Sequence, residues 1–426
     1  IVASPHTKWG SAAGEYEALA ARGDVVAVSF DNRKGIFGHL YLAEIGGEEY
    51  AESGNAAILD YVLALEWVRD NIAGFGGDPN NVFIWGCSGS GSETSDITGT
   101  PMAQGLFHRA LISDPGGLGM PKFYATMMTE RTLSRLGIGH DELHKLHDVT
   151  WQELDATLDV FGDLARCLTI PVPIQKFFQF YPVVDGVILP AEPYAHDCPP
   201  YSLDVPMMVG TARNSLNMIL SSRPWIGQLD EPALHVFAEN HVGPELAEEI
   251  VAAEYRSQPD ASPSDIALAI ATHRFCGNAE RIAMHRQKQA TAPTYMYRFD
   301  YVTNAANGLY GAVHGGEFGF FLNNADNGLG GAMFAGLYAD RPDRYELQRV
   351  MNEAFVRFAY DGDPNHPEID KWTPCTTDDR PTMLLDRECR LVNDPDPEIR
   401  RLYAQIDAMG GPGDYVRSLR QSDWVW

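Results

Sequence analysis

The stretch that decides the fold of this chain is residues 82–92, Val-Phe-Ile-Trp-Gly-Cys-Ser-Gly-Ser-Gly-Ser. Its first part, Val82–Trp85, is a short apolar run typical of a buried strand. The glycine- and serine-rich run that follows predicts a sharp turn into a helix, with Ser88 at the apex. Such a turn exposes the serine hydroxyl and directs the N–H of the next residue, Gly89, at a developing oxyanion. The stretch therefore makes Ser88 a candidate nucleophile and Gly89 a candidate oxyanion donor.

This turn departs slightly from the strict pattern of a nucleophile elbow. The pattern has glycine two residues before and two residues after the serine; Gly86 meets the first condition, and Ser90 replaces the second glycine. Serine is still small, so the departure is mild. Cys87 is a second possible nucleophile, but on an elbow the residue before the serine points away from the pocket. The turn alone leaves a purely structural role and a catalytic role equally open.

The segments around the elbow alternate between strand-like and helical patterns. Val25–Phe30 and Ala110–Ser113 predict buried strands, and Ala56–Ile72 carries apolar residues at helical spacing. Further strands are predicted at Met207–Gly210, Thr294–Phe299 and Thr382–Leu385, and helices within 122–175, 231–284 and 404–409. This alternation predicts an α/β fold, a mostly parallel central sheet with helices on both faces.

Composition excludes several classes of function. The 426 residues include 32 Lys and Arg against 58 Asp and Glu, a formal net charge of -26 that repels nucleic acid and anionic lipid. No apolar run approaches the roughly 20 residues of a membrane helix. Six cysteines without CxxC or zinc-ligand spacing indicate neither a disulfide scaffold nor a metal site. We therefore expect no nucleic-acid partner, no membrane span, no metal and no cofactor; compartment and oligomeric state stay open.

Motifs along the chain resemble those of the type-B carboxylesterases and cholinesterases, a family of the α/β-hydrolase superfamily. The matching segments are Asn32–Gly38, Gly54–Asn55, Ala64–Val68, Asn71–Ile72, Phe75–Pro79, Gly105–Phe107, Ala110–Ile112, Pro182–Gly186 and Ala312–Glu317. The resemblance covers nearly the whole chain, and the Phe-Gly-Gly-Asp-Pro block and the His-Gly-Gly-Glu run are its highly specific parts. The resemblance implies an α/β-hydrolase fold with one catalytic domain over 1–426 and cap insertions at roughly 120–175 and 215–285.

The resemblance also implies which residues carry the chemistry. It makes Ser88 the nucleophile and His314 the general base, whereas Glu317 is interpreted as a cap residue. The family's acid is a glutamate in an Asp-Glu-Gly motif, and that position is Ser215 here. Where the family has a nearby serine, after the strand Ala110–Ile112, this chain has Asp114. We therefore hypothesise that acid and serine have exchanged places and that the triad is Ser88, Asp114 and His314. The alternative is that Asp114 only begins a turn, because Asp-Pro-Gly-Gly is good turn chemistry.

The loop that should complete the oxyanion hole differs from the family pattern. The family has a His-Gly-Gly-Gly loop, and Ser4–His6 stands in its place here, after Ile1–Ala3 as the end of a strand between the Val25 strand and the elbow strand. Pro5 has no N–H to donate. The family also has a long segment before this point, so we expect its N-terminal strands to be missing or diverged here.

Together these features predict hydrolysis of a small-molecule carboxylic ester through an acyl intermediate on Ser88. An acyltransferase or cyclase using the same intermediate, and a non-catalytic esterase-like binding protein, are the alternatives. Candidate walls of the substrate pocket are Phe177, Phe178, Phe318 and Phe320.

Overall fold

The computed structural model of this chain describes residues 1–3, 16–116, 119–158, 180–221, 223–326, 336–376 and 378–410. The strands of this part are β1 (Val2–Ala3), β2 (Val28–Ser29), β3 (Phe83–Cys87), β4 (Arg109–Ser113), β5 (Met120–Pro121), β6 (Val183–Val184), β7 (Met207–Ala212), β8 (Thr294–Phe299), β9 (Pro381–Leu385) and β10 (Arg390–Asn393). Eight of them form one sheet in the order β10-β9-β8-β7-β4-β3-β1-β2, and β5 pairs with β6 separately.

The large sheet is parallel except where β10 runs antiparallel to β9. The predicted α/β architecture with a mostly parallel sheet is therefore confirmed. The register places Cys87 beside Ser113 and Ser113 beside Gly210. The carboxyl ends of β3, β4 and β7 consequently lie side by side, which is where sites form in sheets of this kind.

The first strands show one agreement and one difference with the sequence prediction. Val2–Ala3 lies between β2 and β3, as predicted for the end of that strand. The strand predicted over Val25–Phe30 is only two residues long, Val28–Ser29. Within the described part of the chain its one neighbour in the sheet is β1, and the ladder between them is described over two pairs.

Helices cover the sheet and extend beyond it. They are α1 (Glu17–Gly23), α2 (Ile36–His39), α3 (Ala43–Gly46), α4 (Ala56–Asn71), α5 (Gly89–Thr98), α6 (Lys122–Leu136), α7 (Trp151–Ala156), α8 (Asn217–Leu220), α9 (Glu231–Val242), α10 (Ala247–Ser257), α11 (Pro263–Gln289), α12 (Glu317–Phe321), α13 (Arg344–Asp361) and α14 (Pro397–Gly410). Short 3-10 helices lie at Gly47–Tyr50, Ser53–Asn55, Ile72–Phe75, Pro101–Ala103, His140–Asp148, Pro200–Ser202 and Ala305–Gly308. The helices predicted near 56–72 and 231–284 are present. Within the described ranges no helix is long and apolar enough to cross a membrane.

The core divides into two main clusters because alternate residues of a buried strand face opposite sides of the sheet. Phe83 and Trp85 of β3 belong to the cluster that includes residues of α12 and α13. Ile84 of the same strand belongs to the cluster that includes residues of α4 and α5. A third cluster joins α9, α10 and α11 to α14. The strand that leads to Ser88 is therefore packed on both faces, which gives the site a rigid base.

Candidate active site

The elbow at Ser88 has the backbone geometry that its sequence predicts. Ser88 lies between β3 and α5 with φ 59° and ψ -123°, a backbone conformation that residues other than glycine rarely adopt. Its N–H donates to the Ser113 carbonyl at 3.0 Å, and its own carbonyl accepts from the Ser92 N–H at 2.9 Å. Ser88 and Gly89 are partly exposed, whereas Cys87 is buried. The turn thus presents the serine at the end of the sheet.

Close backbone contacts explain the small residues of the elbow. A Cβ on Gly86 would lie 2.2 Å from the Ser90 carbonyl oxygen, and a Cβ on Gly91 would lie 2.4 Å from that of Ser113. Ser90, the departure from the strict pattern, is accommodated because its hydroxyl stays inside the turn. Its Oγ accepts from the Cys87 N–H at 3.0 Å and donates to the Cys87 carbonyl at 2.8 Å. The hydroxyl therefore adds two hydrogen bonds to the turn.

Asp114 lies at the carboxyl end of β4 and is completely buried. Its N–H donates to the Gly210 carbonyl at 3.0 Å. Its carboxylate accepts a hydrogen bond from the Thr211 hydroxyl, and the Ala212 N–H lies 3.3 Å from both carboxylate oxygens. Asp114 also has a positive φ of 42°, so the chain turns sharply there. The end of β7 thus holds this carboxylate in one orientation.

His314 lies against this carboxylate. Its Nδ1 is 3.1 Å from Oδ2 of Asp114 and 2.6 Å from Oγ of Ser215. The loop before His314 is fixed by two bonds to the loop after β7: the Asn214 N–H donates to the Ala312 carbonyl at 3.1 Å, and the Ala312 N–H donates to Oδ1 of Asn214 at 3.0 Å. The structure therefore brings together the two residues that the sequence analysis paired, and adds Ser215 to them.

Two opposing effects act on the pKa of His314. Burial disfavours the imidazolium and lowers the pKa, but the Asp114 carboxylate stabilises the cation and raises it, and Glu317 adds to that rise. The result is a pKa above the ordinary value of 6.5. A carboxylate 3.1 Å away also favours the tautomer with a proton on Nδ1, in which Nε2 carries the lone pair that can accept a proton.

Glu317 is part of this network, which sequence reasoning missed. The residue lies at the start of α12, is fully buried, and accepts a 2.5 Å hydrogen bond from the Ser113 hydroxyl. Burial and the nearby Asp114 carboxylate raise its pKa to about 7. The signal was present in the His-Gly-Gly-Glu run, but the sequence interpretation was a cap residue. A second buried carboxyl group therefore lies beside the Asp114–His314 pair.

Cys87 lies on the interior side of the same group. It is 5% exposed and belongs to the main core. Its sulfur, a ring nitrogen of His314 and a carboxylate oxygen of Asp114 lie within 4.8 Å of one another. Among the described residues this is the one group whose donor atoms could hold a metal ion. Because Asp114 and His314 already contact each other, the group is a hydrogen-bonded pair with a thiol beside it.

Two of the four predicted pocket residues need correction. Phe318 and Phe320 are 0% exposed and lie in the main core, so they offer no surface to a substrate. Phe318 stacks on Trp85 with ring centroids 4.6 Å apart, and Phe320 packs edge-on against Tyr338 at 5.2 Å. Helix α12 presents these rings to the sheet rather than to the site. Phe177, Phe178 and the Ser4–His6 loop lie outside the described residues.

The comparisons with known proteins agree on one family. The profile of the Carboxylesterase family matches residues 7–399. Para-nitrobenzyl esterase of Bacillus subtilis is 31% identical over 385 residues, which are 90% of this chain and 73% of that protein. Phenmedipham hydrolase of Pseudarthrobacter oxydans is 29% identical over 395 residues, which are 92% of this chain and 73% of that protein.

Solved structures lead to the same family. A carboxylesterase of Geobacillus stearothermophilus superposes with a TM-score of 0.77 at 30% identity, covering 95% of this chain and 81% of that one. Similarity of this extent covers both the sheet and the helical segments around it.

Proposed function

This chain belongs to the carboxylesterase family and is a hydrolase of carboxylic esters, and from that premise we propose that it works through an acyl-enzyme on Ser88. In this proposal His314 is the general base, Asp114 is the acid of the triad, and the Gly89 N–H is one oxyanion donor. The substrate is a small-molecule ester.

The observation that supports this proposal most is the 3.1 Å contact between Oδ2 of Asp114 and Nδ1 of His314. A triad acid must be buried, must be held in place and must contact the ring nitrogen that does not face the serine. Asp114 meets the first two conditions through its complete burial and its bonds to Thr211 and Ala212, and its Oδ2 contacts Nδ1 of the ring. Glu317 is the rival acid, but its carboxyl group bonds to Ser113, and its pKa, raised to about 7, means that it ionises less readily than an ordinary glutamate.

Acylation begins at the serine hydroxyl. Nε2 of His314 takes the proton from Ser88 Oγ as Oγ forms a bond to the carbonyl carbon of the ester. The carbonyl electron pair moves onto oxygen, and the Gly89 N–H donates a hydrogen bond to that oxyanion. Gly89 is the first residue of α5, so its N–H has no acceptor within the helix. Collapse of the intermediate breaks the bond to the alcohol oxygen, which leaves with the proton from Nε2.

Deacylation repeats these steps with water. His314 takes a proton from water, the resulting oxygen attacks the acyl carbon, and the Ser88–acyl bond breaks. Ser88 recovers its proton from Nε2, and the carboxylic acid leaves. Throughout both halves the ionised Asp114 stabilises the imidazolium that forms each time.

The test combines labelling with substitution. We expect a fluorophosphonate to add one mass label to the protein and none to Ser88→Ala. We expect Asp114→Asn to lower kcat on p-nitrophenyl acetate by about 10³–10⁴-fold, as loss of the acid does in serine hydrolases. Asp70→Asn, an exposed carboxylate paired with Arg69, is the matched control and should be neutral.

Two results would overturn the proposal. Turnover in Asp114→Asn within threefold of the parent protein (a cut-off of about 0.7 kcal/mol in barrier) would remove Asp114 from the triad. A large loss in Glu317→Gln together with an active Asp114→Asn would assign the acid to Glu317 instead.

A further inference from the structure

We infer that Ser215 is a positioning residue for His314. The Nδ1–H of His314 donates to the carboxylate of Asp114, and the Ser215 hydroxyl accepts a second hydrogen bond from the same N–H. The inference rests on the proposed triad and goes beyond it. It assigns a function to the position where the family has its acid and where this chain has a serine.

The contact itself is short, and its serine partner is fully buried. Oγ of Ser215 lies 2.6 Å from Nδ1 of His314, closer than the 3.1 Å of the Asp114 carboxylate oxygen. Ser215 is 0% exposed, so water does not compete for its hydroxyl. The two hydrogen bonds between Asn214 and Ala312 lie beside it and hold the two loops together. The Ser215 hydroxyl therefore has a defined place against the imidazole ring.

The direction of this hydrogen bond follows from the charge of its neighbour. A carboxylate has lone pairs only, so it would repel an Nδ1 that carried a lone pair. Nδ1 must then carry the proton. Ser215 Oγ and Oδ2 of Asp114 both accept a hydrogen bond from this N–H. Such three-centre bonds are common in proteins. Two acceptors on one N–H fix both the tautomer and the rotation of the ring, so that Nε2 stays directed towards one place.

The topology explains why two positions can reach the same nitrogen. β4 and β7 are neighbours in the sheet, with Ser113 beside Gly210. Asp114 follows the first strand directly, and Ser215 comes three residues after the second ends at Ala212. Each of these loops brings one side chain to His314. A carboxylate on either loop can therefore accept a hydrogen bond from Nδ1–H of His314, and a hydroxyl on the other loop can accept the second one.

The first test separates positioning from mere support of the fold. We expect Ser215→Ala to lower kcat by roughly tenfold or more, the effect of one hydrogen bond to a group that becomes charged, with KM little changed. Ser215→Thr, which keeps the hydroxyl, should recover most of the rate. Ser221→Ala, a hydroxyl bonded to the Met218 carbonyl in the next turn, is the matched control and should be neutral.

A pH profile adds a measurement that a structural role would not move. Among the described residues, the titratable groups that face His314 from neighbouring elements are Asp114, Glu317 and Cys87. All three of these groups are unchanged in Ser215→Ala. A shift of the acidic limb of the kcat/KM profile towards lower pH would therefore report the loss of the Ser215 hydroxyl as a hydrogen-bond acceptor for His314. Active-site counting with a fluorophosphonate corrects for any unfolded fraction. Unchanged kcat and an unchanged limb in Ser215→Ala would overturn the inference.

The second test restores the family arrangement. We expect the double variant Asp114→Ser with Ser215→Glu to recover at least tenfold (about 1.4 kcal/mol) of the rate lost in Asp114→Ser alone. If the folded double variant is no better than Asp114→Ser, the two loops do not serve the same nitrogen and the inference fails. Activity of Asp114→Asn decides the triad separately, so failure of the triad and failure of the Ser215 inference give different results.

Discussion

The hydroxyl of Ser113 donates a 2.5 Å hydrogen bond to Oε1 of Glu317, 204 positions further along the chain. The bond joins the end of β4, one residue before Asp114, to the first residue of α12, three residues after His314. It therefore ties together the two segments that carry the proposed acid and base. Neither partner is exposed to solvent, so the bond contributes to the rigidity of the site.

Replacing Glu317 with glutamine should change how stability depends on pH. The pKa of Glu317 rises from 4.5 to about 7 on folding because of burial and the Asp114 carboxylate. Between these values the folded protein binds more protons than the unfolded chain, so stability falls as pH rises from 4.5 to about 7. Glu317→Gln should remove this contribution.

Urea unfolding at several pH values measures the effect. The free energy of unfolding of Glu317→Gln, relative to the parent protein, should increase as pH rises through that window. A difference that does not vary with pH would show that Glu317 does not titrate there.

The pH dependence of catalysis should report the raised pKa of His314. Hydrolysis requires the neutral imidazole, so kcat/KM should fall as pH drops through this pKa. Burial lowers the pKa and Asp114 more than offsets it, so the midpoint of the acidic limb should lie above 6.5. In Asp114→Asn the charge that opposes the effect of burial on the pKa of His314 is lost. The midpoint of the acidic limb of its residual activity should therefore move below 6.5. A limb that stays in place would contradict the assignment of Asp114.

Gly91→Ala should damage the elbow. The new Cβ would lie 2.4 Å from the Ser113 carbonyl oxygen, which also accepts the hydrogen bond from the Ser88 N–H. We expect a loss of about 1–3 kcal/mol in stability from overpacking and a slower reaction with fluorophosphonate. Gly74→Ala is the control, because a Cβ there meets nothing within 4 Å. Equal behaviour of the two variants would be inconsistent with the close contact.

Phe318→Ala tests the correction of the predicted pocket. The ring is fully buried and stacks on Trp85, so its removal should lower the free energy of unfolding by about 3–5 kcal/mol. Phe123→Ala, whose ring is 65% exposed, should change stability by less than about 0.5 kcal/mol. If Phe318→Ala instead left stability intact and altered KM, the ring would belong to a substrate pocket after all.

The sequence by itself determined the fold class, the family and the proposed catalytic residues. Short apolar runs and helical spacing are local properties, so β3, β4, β7 and α4 could be predicted to within a few residues. Ser88 and His314 could be proposed because each lies in a motif of contiguous residues. Asp114 could be proposed because two departures from the family pattern, at positions 114 and 215, make sense only together.

Only the tertiary structure decided which side chains face the core and which face the candidate active site. Phe318, Phe320 and Glu317 follow His314 within six residues, and no local pattern distinguishes a side chain that faces the core from one that faces the site. The orientation of α12 on the sheet places Phe318 on Trp85 and Glu317 on Ser113. The contact of Ser215 with His314 likewise joins residues 99 positions apart. Such contacts depend on how distant strands and loops pack together, and a linear pattern of residues carries that information only indirectly.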